Sequence, residues 1–289
     1  MNWGVGALAG ILAVTMATCG GIRALAQNRP NADPCGSAET AHATVSRVVD
    51  GRTFVLDDGR EVRLAGIEVP SLPQSQDAAA ASGAAAAKDA LNALAGGDQV
   101  LLRQAEFPSD RYGRIVAYVY TLRDGDELFV QGELVAAGFA QVGDRIGSRT
   151  CATELLGRER AARTAKLGLW ADPDYNVVNA ETPTDVLARR GRFALVEGEV
   201  VSVRESGSTI YLNFGRRWSE DFAVTILKRN ERNFAAVGLD LKGLEGRRVL
   251  VRGFIEARGR TGDGAAGTVW ASPRMEAERP GQIETLDRD

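Results

Sequence analysis

Between Ala43 and Ile67 the chain reads as three short strands cut by two aspartate–glycine turns. Thr44-Val45-Ser46-Arg47-Val48-Val49 runs into Asp50-Gly51, and Thr53-Phe54-Val55-Leu56 runs into Asp57-Asp58-Gly59. Glu61 to Ile67 then returns. β-Branched residues bounded by tight-turn residues predict antiparallel hairpins. Asp77 to Ala95 is rich in alanine and predicts a helix stopped by Gly96-Gly97. Gln99–Arg103 and Ile115–Thr121 read as two further strands joined through Pro108-Ser109-Asp110. A short helix is expected within Glu127 to Gly138, and a long amphipathic one over Cys151 to Leu167, closed by Gly168 and anchored by Leu169-Trp170. Five strands with interspersed helices predict a mainly β fold, a five-stranded barrel with helical cover.

At 289 residues the chain is long enough for two domains of roughly 150 residues. Residues 172–192 hold Pro173 and Pro183 with no strong period, and read as a linker. Beyond it, strands are expected at Ala194–Arg204, Thr209–Phe214, Phe222–Ile226, Arg247–Glu256 and Gly267–Ala271, with a helix near Glu231–Val237. That order suggests a second small β-barrel, OB-like. The expected organisation is an N-terminal segment 1–26, a first domain 41–171, the linker, and a second domain 193–289.

Composition narrows the chemistry. The 35 Lys+Arg against 38 Asp+Glu give a net charge of −3, which argues against nucleic-acid binding through bulk positive charge. His42 is the one histidine, expected to be solvated and inert, so histidine-clustered metal sites and Ser-His-Asp chemistry are almost excluded. Carboxylates, arginines and a hard metal remain. Met1 to Ile22 carries no charge, and Ala24-Leu25-Ala26 offers a signal-peptidase site. Export follows, to the periplasm or outside the cell; an uncleaved anchor is the alternative, because about 20 apolar residues span a bilayer. No stable membrane contact is expected beyond this segment. Cleavage leaves Cys35 and Cys151, which in an oxidising compartment read as a disulfide, with two unrelated buried thiols as the alternative.

Five ordered segments carry a family resemblance. They are Val49-Asp50-Gly51-Arg52-Thr53, Val62-Arg63-Leu64-Ala65-Gly66-Ile67-Glu68-Val69-Pro70, Asp110-Arg111-Tyr112-Gly113-Arg114, Glu133-Leu134-Val135-Ala136-Ala137-Gly138, and Ala162 with Lys166-Leu167-Gly168-Leu169-Trp170. Over roughly Ala41 to Trp170 the chain resembles the staphylococcal nuclease (thermonuclease-like) family. The resemblance implies an OB-fold barrel whose mouth cleaves phosphodiester bonds. It further implies Ca²⁺ held by acidic side chains and a backbone carbonyl, a glutamate that prepares the attacking water, and two arginines on the phosphate. A hard cation takes oxygen ligands and polarises the phosphoryl oxygen. Arginine forks match phosphate and stabilise the charge that develops on it.

Carried over position by position, Arg63 and Arg114 match the phosphate-contacting arginines, with rim arginines in surface ion pairs as the alternative, and Tyr112 is placed either to stack on a base or to support its loop. Asp50, Glu68 and the carbonyl of Val69 match the metal-ligand positions, although an Asp-Gly turn calls for Asp50 for backbone reasons alone. Two positions depart from the pattern. Arg52 stands at the second aspartate, a direct ligand, and Ser71 at the general base. A guanidinium has no lone pair for Ca²⁺, and at about 4 Å it repels a cation by several kcal/mol per unit charge even at an effective dielectric of about 20. Arg52 is expected to pair with Glu68 or Asp50, or else to complete a three-arginine phosphate pocket with Arg63 and Arg114.

In the second half, Tyr211-Leu212-Asn213-Phe214-Gly215-Arg216-Arg217-Trp218 interleaves aromatics with arginines, which suits base stacking and phosphate contact or simply a core strand and hairpin turn. The Arg247-Arg248 and Arg252 cluster is read the same way. The reading that results is an exported nuclease-like protein that binds nucleic acid, a nucleotide or another anionic ligand, with Ca²⁺-dependent hydrolysis lost or much reduced and no cofactor. One alternative is a divergent active nuclease using Arg63, Arg114 and Glu68, with Ca²⁺ as its cofactor. The other is an envelope scaffold whose partner is a protein.

Overall fold

The structure is a computed structural model that describes residues 35–36, 38–70, 78–123, 125–146, 148–260 and 270–286. The expected signal segment or anchor over 1–26 and the expected base position Ser71 lie outside the described residues. Among the described residues no helix is long and apolar enough to cross a membrane.

The first half contains β1 (Glu39–Asp50), β2 (Thr53–Leu56), β3 (Glu61–Leu64), β4 (Ile67–Glu68), α1 (Ala78–Ala95), β5 (Gln99–Ser109), β6 (Ile115–Arg123), β7 (Asp126–Phe129), α2 (Val130–Ala136), β8 (Gln141–Val142) and α3 (Arg149–Thr164). Antiparallel pairs join β3, β2, β1, β5 and β6 in that order. A parallel pairing of β3 with β6 closes these five strands into the barrel. Inside lie Val45, Phe54, Leu56, Val62, Leu64, Leu102 and Val119, all buried. Helix α1 buries Ala84, Ala87, Leu91 and Ala95, a stripe at three- and four-residue spacing. Its small side chains matter, because a Cβ on Gly51 would stand 2.6 Å from that of Ala87. The glycine of the first turn therefore serves close packing of α1 on the hairpin. Gly138, at φ +75°, meets the end of α3 in the same way: an added Cβ would lie 2.2 Å from the carbonyl oxygen of Leu167. Strand β5 runs past the expected end at Arg103 because β6 continues to supply a partner, with Gln104 opposite Ala117 and Ser109 opposite Ile115. Pro108 falls within the register shift between Gln104 and Ser109, where no ladder donor is required.

Cys35 and Cys151 form a disulfide across 116 positions of sequence, which ties the arm before β1 to the start of α3. The Tyr120 hydroxyl donates to the Cys35 carbonyl at 2.9 Å and fixes the arm against the barrel. Disulfides of this kind are typical of oxidising compartments.

The connecting segment 172–192 is ordered. It holds a 3-10 turn at Pro173–Tyr175, β9 (Val178–Asn179) and α4 (Pro183–Leu187). Both prolines start helical turns, where the missing N–H has no partner to lose. Beyond come β10 (Phe193–Glu199), β11 (Ser202–Ser206), β12 (Thr209–Asn213), β13 (Ala223–Leu227), α5 (Glu231–Ala235), β14 (Arg248–Arg260), β15 (Trp270–Glu276) and β16 (Ile283–Thr285). The sheet runs β11-β12-β13-β15-β14-β10-β9. Its members β10 and β11 are separated by only two residues, so the path curls back on itself as a barrel. Its core includes Val196, Ile210, Leu212, Phe222, Val224 and Val251.

The two halves share a buried seam. Ala162 and Trp170 of the first half pack with Leu195 and Leu250 of the second. At its centre the fully buried Arg252 of β14 pairs with the fully buried Glu159 of α3 at 2.7 Å, and with Glu284. The second Glu159 oxygen accepts the Val142 N–H at 2.7 Å, and the Val142 carbonyl accepts from Arg252 at 3.3 Å. Arg252, which the sequence leaves open between nucleic-acid contact and a core strand, is therefore an interior cross-link.

Candidate functional site

The site lies where the first turn, β3, β4 and the 110–114 loop converge at one end of the first barrel. Asp50 shapes the turn: its Oδ1 accepts the Arg52 N–H at 2.9 Å, the Asx arrangement expected of aspartate before glycine. The Leu64 N–H donates to the Arg52 carbonyl at 2.8 Å and holds the turn beside the end of β3. Along β3 the side chains alternate, with Val62 and Leu64 buried in the barrel and Arg63 facing the other way, half-buried. Gly66, at φ +73°, turns the chain into β4, which pairs with β8 and brings up Glu68. Val69 comes next, packed against the barrel core.

Arg52 and Glu68 form an ion pair, and the same guanidinium reaches the Ile67 carbonyl at 3.5 Å. The other Glu68 oxygen stands 3.9 Å from Arg63. Burial pushes the Glu68 carboxyl above its ordinary 4.5, against the pull of Arg52 and Arg63; Asp144 pushes it the same way. Burial also lowers Arg63, with Arg52 and Arg114 adding repulsion. An arginine destabilised by desolvation and by two like charges is one that an anion would relieve.

Arg114 is placed by its own loop. Asp110 Oδ1 accepts the N–H groups of Tyr112 at 2.9 Å and Arg114 at 3.1 Å, while Oδ2 receives the Arg114 side chain at 2.7 Å. Burial acts to raise the Asp110 carboxyl but is outweighed by these bonds, and it lies below its ordinary 3.8. Gly113, at φ +79°, makes the reversal possible. Tyr112 stands 67% exposed, flanked by the Arg111 guanidinium at 4.8 Å and that of Arg114 at 5.2 Å.

Arg63, Glu68, Tyr112 and Arg114 line one groove of about 560 Å³. Arg52 is not part of its wall and reaches Glu68 from the turn side. The groove also takes in Asp144, whose carboxyl is raised by burial, and Phe254 from β14 of the second half. Arg279 of the second half pairs with Glu106 at 2.8 Å and covers Phe107 at 5.2 Å, along the same wall. Sequence reasoning does not find Asp144, Phe254 or Arg279. Nothing local marks them, since they reach the groove through the β4–β8 pairing and the packing of the two halves.

Of the oxygen groups expected to hold a metal, Asp50 is engaged by its turn and Glu68 by arginines. Among the described residues no group of three or more histidine, cysteine, aspartate or glutamate side chains is arranged to hold a metal ion. The groove lining sets four arginines, Arg63, Arg111, Arg114 and Arg145, against four carboxylates, Glu68, Glu106, Asp110 and Asp144, so its attraction for an anion rests on the placement of Arg63 and Arg114 and not on surplus charge.

Residues 61–172 match the family model described as Staphylococcal nuclease homologue. The match begins at β3, so Arg63, Glu68 and Arg114 lie within it, and the turn with Asp50 and Arg52 just before it. No curated protein matches the chain.

Proposed function

We propose, for a chain that carries a staphylococcal nuclease-like domain over residues 61–172, that this domain binds a phosphate-bearing ligand in its groove, nucleic acid or a nucleotide, and has lost most or all Ca²⁺-dependent hydrolysis. The observation that carries the reading is the Arg52–Glu68 ion pair. A carboxylate capped by a guanidinium is a poor ligand for a hard cation, because the cation must displace the arginine and then sit beside its charge. The residues present do not fit a Ca²⁺ site, so no hydrolytic step is drawn through one. What remains suits binding. Arg63 faces the groove with its nearest carboxylate 3.9 Å away, Arg114 is held rigidly by Asp110, and Tyr112 offers an exposed ring for stacking.

The oxidising compartment typical of such a disulfide supports export to the periplasm or beyond, with residues 1–26 acting as signal or anchor. A protein-binding role in the envelope is the competing reading, and low-salt ligand binding separates the two.

Full-length protein is incubated with single-stranded DNA, with Ca²⁺ and with chelator, and binding of a labelled mononucleotide is measured at low salt. The expected result is no Ca²⁺-dependent cleavage, and binding weakened about tenfold by Arg63→Ala, which removes one charge-assisted hydrogen bond. Arg52→Asp combined with Ser71→Glu is expected to bring cleavage back. Ca²⁺-dependent cleavage by the wild type, abolished by Arg63→Ala, would overturn the reading in favour of an active nuclease. Absence of any binding at low salt would favour the scaffold.

A further inference from the structure

We infer a second ligand site, on the curled sheet of the second half, that takes single-stranded nucleic acid. It is independent of the groove in the first half. The site is a depression of about 760 Å³ whose walls include Arg204, Tyr211, Arg216, Trp218, Arg258 and Arg274. They come from β11, β12, the turn after β12, β14 and β15, brought together by the sheet order.

Arg274 carries the argument. It is 8% exposed, and its Nε and Nη1 have no hydrogen-bond partner among the described residues. Only Nη2 is engaged, donating to the Trp218 carbonyl at 2.6 Å. Burial pulls its pKa below the ordinary arginine value, and Arg258 pulls it further. Removing a guanidinium from water without supplying acceptors is costly, and among the described residues no carboxylate pairs with Arg274 to offset the cost. By contrast, the fully buried Arg252 pairs with two glutamates. An arginine in the lining of an open depression, buried and short of acceptors at two nitrogens, is a cation that an anion settling in the depression would stabilise.

The rim specifies that acceptor. Arg204, Arg216 and Arg258 have no ion-pair partner among the described residues. The single carboxylate in the lining, Glu245, is tied to the Val203 N–H at 3.1 Å. Four arginines against one carboxylate favour a polyanion. Trp218 stands 75% exposed, with its backbone fixed by Arg274, and Tyr211 lies in the same wall. An indole that buries nothing in a core but is held beside a phosphate-sized donor set is placed to stack on a base. Duplex hides its base faces, whereas a single strand presents phosphate and ring together.

The test uses the full chain and a fluorescein-labelled oligo(dT), followed by anisotropy from low to moderate salt, with dextran sulfate as a ring-free polyanion. Trp218→Ala, an exposed position, is expected to weaken oligo(dT) binding about tenfold and leave dextran sulfate unaffected. Arg204→Ala with Arg216→Ala is expected to shallow the salt slope by about 1.4, or ~0.7 for each phosphate no longer neutralised. The comparisons are repeated in an Arg63→Ala/Arg114→Ala background, which removes the first groove's share of oligo(dT) binding and leaves the share of this site dependent on Trp218, Arg204 and Arg216. Oligo(dT) affinity unchanged by both the Trp218 and the paired arginine variants overturns the inference. So does oligo(dT) binding that disappears only when Arg63 and Arg114 are replaced.

Discussion

Arg252→Met removes the cation from the seam between the two halves and leaves Glu159 behind, fully buried, with the Val142 N–H as its one remaining partner among the described residues. Breaking a buried ion pair from one side costs about 3–5 kcal/mol, because the remaining charge keeps its desolvation penalty and loses its compensation. Glu284 contributes little to that figure, since it is partly exposed and retains Arg160 at 3.0 Å. For a folded unit of this size each kcal/mol moves the midpoint by about 2–4 °C, so a drop of about 6–20 °C is expected. Urea unfolding, with the disulfide intact, measures the free energy directly. The double variant Arg252→Met with Glu159→Leu separates charge burial from packing. It should recover most of the loss, falling short by about 1 kcal/mol for the orphaned Val142 N–H. A loss below about 1 kcal/mol in the single variant, or a double variant as unstable as the single, would refute the reasoning.

Replacing both Cys35 and Cys151 with serine opens a loop of 116 positions. The chain-entropy relation gives a loss of about 5 kcal/mol, read as a lower denaturation midpoint than that of the oxidised wild type; a change under about 1 kcal/mol would contradict it. A pH series addresses the Asp110–Arg114 loop. The Asp110 carboxyl sits lower in the folded state than its ordinary 3.8, so its stabilisation is full above 3.8 and is lost as pH falls through the folded value. The stability gap between wild type and Asp110→Asn should hold from about pH 6 to about 4 and close below it. A gap that stays constant down to about pH 2.5 would show that the carboxylate charge contributes nothing.

Local patterns announced the elements themselves. The Asp-Gly turns, the alanine helix and the glycine stops after α2 and α3 are recognisable because each depends on residues within a few positions. The same holds for the loop at 110–114, where Asp110, Gly113 and Arg114 lie within five residues of one another and bond locally. Chemistry that depends on residue type alone was also readable: an arginine at position 52 lacks a lone pair wherever the chain places it. Less was readable at 172–192, where Pro173 and Pro183 looked like breakers and serve as helix starts. A proline breaks a helix behind it and can open one ahead of it, and tertiary packing selects between the two.

The sequence by itself determined most of the first barrel's strands and turns, which cations and carboxylates are available, and that an arginine stands at the position where the family resemblance implies a metal ligand, while it ran β10 and β11 together as one strand. Only the tertiary structure decided which of those groups meet. It paired Arg52 with Glu68 from behind the groove, carried Phe254 from the second half into the groove wall, and buried Arg252 while leaving Arg274 without acceptors at two of its nitrogens. Arg252 and Arg274 both lie on strands of one sheet and look alike in sequence. Burial depends on what packs over a strand, and a charge's fate depends on whether an opposite charge is buried with it. Both are set by elements close to a hundred residues away or more for Arg252, and by the curl of the sheet for Arg274.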